Sequence, residues 1–454
     1  VPRPDVILHG PIGRGVFLVA APSVVTMLVH TANGFLDAFF VGGLGPHAVA
    51  AVGVGLNLMF LLMSAAMAVN VGTTAIVARS VGENDLAQAR EATRRSLTLI
   101  FLVGIVVALP MALLRNPILH LEGLDKQTLP LASSYLLTIL FGIPLQFVML
   151  TLASAYRGLG DTVRPFYVTL AACLVHALFN WLLIFGKLGF PKLGLVGGAI
   201  ALNLSQLTSI VCFVLLLPKT RLGALWHGDW RLDLVWAKRL CAIGLPAAGQ
   251  QLLRVGSMTL FQMLVGRFGA GSAAIAALSV GLRSESLAFM PGFGYSIAAS
   301  AFVGQNLGAI QPERARRGAW IATAQAMVVM SVMGVVFFVF AEPFARLLVR
   351  EGDPKDVEQT VALAVAYLKI AAISEPFLAL GMVLIGALQG AGETKTPTYL
   401  TAISMVAFRL PVAFVLLSLF GVHGAWWAMT LSTVFQGIAI VVLFKRGTWL
   451  QTRV

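Results

Sequence analysis

The chain has 454 residues, of which 58% are hydrophobic and 11% charged, and its formal net charge is +13. A soluble domain carries roughly 25% charged residues, so this composition excludes an ordinary water-soluble enzyme and points to a chain solvated largely by lipid. Three cysteines (Cys173, Cys212 and Cys241) lie in or beside apolar runs without paired spacing, which excludes a disulfide frame or a Cys/His metal site.

Twelve apolar segments follow one another: 16–41, 48–79, 96–114, 131–156, 165–186 and 193–217, then 240–266, 273–304, 319–341, 359–388, 397–419 and 422–444. A span needs about 20 residues to cross roughly 30 Å of hydrocarbon. The expected class is therefore an all-α polytopic membrane protein of about twelve transmembrane helices. The first run is long and holds Asp37, so it reads as a retained span rather than a cleaved leader. With the N-terminus inside, the inner segments hold 20 Lys and Arg, the outer loops 8, and the spans four (Arg254, Arg283, Lys369, Arg409). That asymmetry predicts a multi-pass protein with both termini cytoplasmic; the expected location is a bacterial inner membrane. It assigns the basic excess to topology and lipid contact, not to nucleic acid.

The chain repeats itself. Pro22 to Gly42 aligns with Pro246 to Gly266, and VARSVG at 77–82 with VGQNLG at 303–308. RGLGDTVRP at 157–165 aligns with QGAGETKTP at 389–397, and Gly194 and Gly197 with Gly421 and Gly424. The prediction is two six-helix lobes, 1–217 and 240–454, joined by a cytoplasmic linker at 218–239. An even number of spans per half gives both lobes the same orientation, a pattern of secondary transporters. The Gly-rich segments read as tight turns whose acidic residue and Thr cap the next helix. Neither has the spacing of a phosphate loop.

Ionisable residues inside spans are costly to keep and are functional candidates by default. In the first span His30, Asn33 and Asp37 recur at three to four residues and share a helical face. A carboxyl group there can load a proton outside and release it inside, or exchange it for a cation. Span five repeats the pattern with His176 and Asn180. The ion-coupling set is thus Asp37, His176 and Asn180. The substrate-lining set is His30, Asn33, Asp37, Met67, Asn70 and Asn203, with Met67 offering an adaptable apolar wall. The second half carries Arg254, Arg283, Glu285, Glu375 and Arg409, a secondary set expected to pair internally or to take part in coupling. Proline at 22, 110, 144, 246, 291 and 376 predicts kinked spans. No Walker A motif, metal spacing or nucleophile elbow occurs, so no enzyme activity and no cofactor are expected, and ion-motive energy is the expected drive.

At Asp37-Ala-Phe-Phe-Val-Gly, at Val-Gly-Gln-Asn-Leu-Gly-Ala (303–309), at Leu282-Arg283-Ser284-Glu285-Ser286 and at the paired Gly-rich turns, the chain resembles the multidrug and toxic compound extrusion (MATE) family. The resemblance spans nearly the whole chain. It implies export of amphiphilic, often cationic drugs or toxic small molecules in exchange for protons or sodium, with the first-span Asp as coupling residue. Sodium-linked or archaeal relatives pair an Asn and an Asp in span five with a Thr in span six. Here those positions read His176, Asn180 and Leu202, followed by Asn203. A hard cation wants several oxygens, so the departure favours protons, with Na+ coupling as the alternative. The three arginines of the second half keep a lipid or lipid-linked oligosaccharide flippase as a further alternative. The expected partners are small amphiphiles and membrane lipids, and the expected state is a monomer.

Overall fold

In lipid, backbone polar groups must be satisfied within the chain, which favours long helices. The computed structural model describes residues 4–268, 271–349 and 354–452. Among the described residues all regular structure is helical. The first half holds α1 (Pro4–Leu8), α2 (Ile12–Gly42), α3 (Pro46–Gly82), α4 (Leu86–Leu121), α5 (Thr128–Gly158), α6 (Val163–Phe185) and α7 (Gly194–Leu216). The second holds α8 (Leu234–Phe268), α9 (Ser272–Gly308), α10 (Pro312–Val339), α11 (Ala341–Leu348), α12 (Pro354–Ala372) and α13 (Glu375–Gly390). It ends with α14 (Lys395–Ala402), α15 (Arg409–Phe420) and α16 (Val422–Arg446).

All twelve expected segments are thus helical. Ten stretches among the described residues are long and apolar enough to cross a membrane. The pair α12 and α13, bent by 58° at its break, makes an eleventh. The remaining helix, α8, is long enough at 35 residues but carries Lys238, Arg239, Arg254 and Arg267. Two features differ from the sequence reading. Pro376 does not kink a span from within; it sits in the first turn of α13, where its missing N–H costs nothing. The eleventh expected span contains a π-helical turn, Ile403–Phe408, between α14 and α15.

The repeat is visible in the backbone. After α3 and α9 the chain turns at Asn84 (φ 60°) and Ile310 (φ 57°). In both turns an N–H reaches back five residues, Asp85 to Ser80 O at 2.9 Å and Gln311 to Asn306 O at 2.8 Å. At the Gly-rich segments Gly160 (φ 75°) and Gly392 (φ 85°) take the left-handed conformation. Asp161 Oδ1 then accepts from Arg164 N–H at 3.1 Å, and Glu393 Oε1 from Thr396 N–H at 2.9 Å. The acidic residue caps the next helix in both halves.

Asn tolerates the left-handed region, whereas a β-branched residue there is strained. Ile310 is also 88% exposed. Ile310→Asn, which copies its repeat mate Asn84, is expected to stabilise the protein by about 1 kcal/mol, read as a higher Tm in detergent. An unchanged or lower Tm would contradict the strain argument.

The chain sorts into two compact units. One holds Val25–Ala248, and the other combines Asp5–Val24 with Gly249–Val454. These boundaries differ from the sequence reading in two places, each with a packing reason. Ile7, Val16, Val19 and Ala20 are buried in one core with Ala319, Ala322 and Ala326 of α10. Arg314 Nε donates to Ile7 O at 3.1 Å and Gln325 Nε2 to Gly13 O at 3.0 Å. The segment expected as a linker is instead strapped to α4. Arg90 Nε donates to Arg221 O at 3.3 Å, Arg94 Nη1 to His227 O at 3.0 Å, and Thr98 Oγ1 to Trp230 O at 3.0 Å. Arg95 pairs with Asp233, and Asp233 Oδ1 caps α8 by accepting from Val235 N–H at 2.8 Å. Hydrogen bonds from the backbone, that of Trp236 first, hold the Asp233 carboxyl below the usual carboxylate range.

Candidate functional site

Helical periodicity places Asn33 and Asp37 one turn apart on α2, and His176 and Asn180 one turn apart on α6. The structure sets these two stripes side by side. Asn33 Nδ2 lies 2.9 Å from His176 Nδ1, and Asn180 Nδ2 donates to Asp37 Oδ1 at 2.8 Å. Both contacts join residues 143 apart in sequence. Equal offsets mean that the two helices run in the same direction where they meet.

His176 Nε2 lies 3.5 Å from Asp37 Oδ1 and 3.3 Å from Asn180 Nδ2. His176 Nδ1 is within hydrogen-bond reach of both ends of the Asn33 amide, Nδ2 at 2.9 Å and Oδ1 at 3.2 Å, while Nε2 faces the Asp37 carboxylate. His176 is buried, at 3% side-chain exposure, whereas Asp37 keeps 40% of its surface uncovered. Among the described residues, no Lys or Arg lies within ion-pair distance of Asp37. Its charge is therefore oriented by two polar neighbours, Asn180 and His176, but not neutralised by a Lys or Arg, so it can take a proton or an incoming cation. Tyr135 of α5 stands within electrostatic reach of Asp37; sequence reasoning missed it because a Tyr in an apolar run carries no register signal.

Among the described residues the other expected substrate residues form no hydrogen bond with this cluster. His30 is exposed, Met67 is half-buried, and His30 makes no hydrogen bond among the described residues. Asn70 is buried and accepts from Thr151 Oγ1 at 2.7 Å. Asn203 Nδ2 donates to Thr138 O at 2.7 Å, and its amide fills the space that a Cβ at Gly142 would need, with Oδ1 only 1.8 Å from that position. Both asparagines therefore tie helices of one unit together.

The second half departs from expectation more sharply. Arg254, Arg283, Glu285, Glu375 and Arg409 form no ion pair with one another among the described residues. Glu285 accepts instead from Tyr367 Oη at 2.5 Å, and Arg409 Nε donates to Ser432 Oγ at 2.7 Å. Arg283 is exposed. Neutral partners, Tyr367 and Ser432, take the positions that sequence reasoning gave to opposite charges. Glu375 is fully buried, and neither carboxyl oxygen has a hydrogen-bond partner. A buried polar group left unsatisfied costs about 1–3 kcal/mol. Glu375→Met, similar in shape and without that cost, is expected to stabilise the protein by about 1–3 kcal/mol. A fall in Tm on that substitution would show that the carboxyl holds the fold.

Helical spans, an internal repeat and polar clusters held inside each unit are the architecture of a multi-spanning membrane transporter. The chain belongs to the MatE family, whose model matches residues 22–182 and 246–415. It is 28% identical over 439 residues to a "Probable multidrug resistance protein NorM" of Thermotoga maritima, covering 95% of this chain and 92% of the relative. It is 26% identical over 444 residues to an "FAD transporter" of Shewanella oneidensis, covering 97% and 96%. Among solved structures, a MATE protein in complex with MaL6 superposes with a TM-score of 0.90 at 22% identity, covering 99% of both chains. A MOP superfamily transporter from Pyrococcus furiosus, described by the reverse polarity of its binding pocket, gives 0.90 at 20% identity, again covering 99% of both. These superpositions establish the fold.

Proposed function

We propose that this transporter exports amphiphilic, often cationic small molecules in exchange for protons, with Asp37 as the group that carries the proton. The observation that supports this reading most is a partly uncovered carboxylate that contacts His176 and the Asn180 amide and, among the described residues, pairs with no Lys or Arg. Such a group can be neutralised in two mutually exclusive ways, by a proton or by a cationic substrate. Competition for one charge is the simplest route to obligatory exchange. Relatives such as the Thermotoga maritima protein, named for multidrug resistance, support the substrate class.

Protons suit the cluster better than sodium. Besides the Asp37 carboxylate, the side chains in hydrogen-bond contact here offer only the neutral amide oxygens of Asn33 and Asn180, a thin set for a hard cation, which is held by several oxygens. His176, joined to Asn33 on one side and facing Asp37 on the other, is placed to relay a proton. His30 and Asn33 extend the same stripe along α2 and would meet substrate beside Asp37. The proposed setting is a bacterial inner membrane with both termini cytoplasmic, the protein acting as a monomer.

The test is reconstitution in liposomes with an imposed pH gradient or an equal sodium gradient. Adding ethidium, an amphiphilic cation, is expected to collapse the pH gradient and leave the sodium gradient intact. Collapse of the sodium gradient alone would replace the proton reading with a sodium one.

A further inference from the structure

The Gly249–Val454 part of the second unit holds an open-sided cavity of about 270 Å³, lined by none of the Asp37 cluster residues. Two guanidinium groups line it, Arg254 of α8 and Arg409 at the start of α15. Neither forms an ion pair among the described residues. Arg409 is 5% exposed and uses only Nε, on Ser432; its two terminal nitrogens make no hydrogen bond among the described residues, and neither does the Arg254 guanidinium. Up to nine N–H donors are thus left without protein acceptors, by the inventory of about five per guanidinium. Glu285 also lines the cavity and accepts from Tyr367; two guanidinium groups against one carboxylate leave the lining with a formal excess of one positive charge.

Unpaired arginines are rare at membrane depth and mark binding sites or pathways. Arg409 directly follows the π-helical turn Ile403–Phe408, a local irregularity that recurs at functional sites. Phe289, Phe377, Met382, Met405 and Met429 form an apolar, adaptable part of the wall, and Ser286, Thr433 and Gln436 add neutral polar groups. Gly381 lines the cavity too, and a Cβ there would meet nothing within 4 Å.

We propose that this cavity is a binding site for a small amphiphilic organic anion, whose oxyanion head sits between Arg254 and Arg409 while its apolar body lies against the Phe and Met wall. Guanidinium groups match planar and tetrahedral oxyanions through paired N–H donors. A single aromatic ring needs a space of roughly 150 Å³, so a one-ring carboxylate or sulfonate fits the volume. The site is independent of the proton and cation chemistry assigned to Asp37.

The experiment is calorimetric titration of benzenesulfonate into the full chain in phosphatidylcholine nanodiscs, with benzenesulfonamide as its uncharged match. Saturable binding of the sulfonate is expected, at least ten-fold tighter than that of the sulfonamide. Arg254→Gln and Arg409→Gln should each weaken it roughly ten-fold or more, with Arg409→Lys in between. Because Arg409 is buried and its loss can disturb folding, Gly381→Met serves as a second route. It blocks the cavity without touching a charge and should abolish binding. Repeating the titration in phosphatidylglycerol nanodiscs identifies the natural source of the oxyanion. Weaker sulfonate binding there assigns the site to a lipid phosphate, and unchanged binding assigns it to a soluble anion. Equal binding of sulfonate and sulfonamide, or full affinity in both Arg254→Gln and Gly381→Met, would overturn the proposal.

Discussion

Asp37→Asn is expected to cut cation-driven proton movement to the level of empty liposomes, a loss of roughly a hundred-fold or more, the range typical for removing a positioned proton-transfer group. The substitution keeps the shape of the side chain and an oxygen where Asn180 Nδ2 now donates at 2.8 Å. The helix pairing should therefore survive, and only the exchangeable charge is lost. His176→Asn is expected to do less. It removes the ring between Asn33 and Asp37 but leaves the carboxylate, so transport should persist more slowly and with an altered pH profile. Equal losses in both variants would point to a structural role for the cluster, and undiminished coupling in Asp37→Asn would remove Asp37 from the mechanism.

Gly244→Ala is expected to be the most damaging conservative change in the Val25–Ala248 unit. A Cβ at Gly244 would stand 1.4 Å from Ala68 O and 2.4 Å from Ala68 C. One turn away, a Cβ at Gly72 would stand 2.9 Å from Leu240 O. The helices α3 and α8 thus meet backbone to backbone over Ala68 and Gly72, spaced by four, as membrane helices do at small residues. Backbone atoms cannot yield as a side chain tip can, so the helices must part. The expected cost is about 3 kcal/mol, read as a lower Tm and poor recovery from the membrane. Gly72→Ala should cost less, because its clash is milder. Gly256→Ala, on the same helix α8 with nothing within 4 Å of the added atom, should be neutral or stabilise by up to about 1 kcal/mol through helix propensity. Equal tolerance of the changes at 244 and 256 would contradict the close-packing argument.

The Asp37 cluster was legible because its partners recur at helical spacing within each span. Asn33 and Asp37, like His176 and Asn180, had to share a face, and two polar faces in lipid gain by meeting. The repeat was legible for a similar reason. Gly160 and Gly392 stand where the backbone is left-handed, and Asp161 and Glu393 where an N-terminal N–H needs an acceptor. The partners of the second-half charges were not legible. Which group Glu285 or Arg409 meets depends on helix rotation, and a tyrosine 82 residues away and a serine 23 residues away took those places. Composition does not distinguish a hydroxyl partner from a charged one. The bend between α12 and α13 was hidden as well, since Pro376 in an apolar run reads the same whether it kinks a helix or starts one. The division into units was also hidden, because the side on which Ile7, Val16 and Val19 bury themselves is a tertiary fact.

The central claim is that one carboxylate serves proton and substrate in turn. Its most direct test is to titrate the purified chain with ethidium in weakly buffered detergent solution and record the proton released for each cation bound. The account predicts release of up to about one proton per cation in the parent, set by the fraction of Asp37 protonated at the working pH, and none in Asp37→Asn. Cation binding without proton release at every pH, or equal release from both proteins, would contradict it.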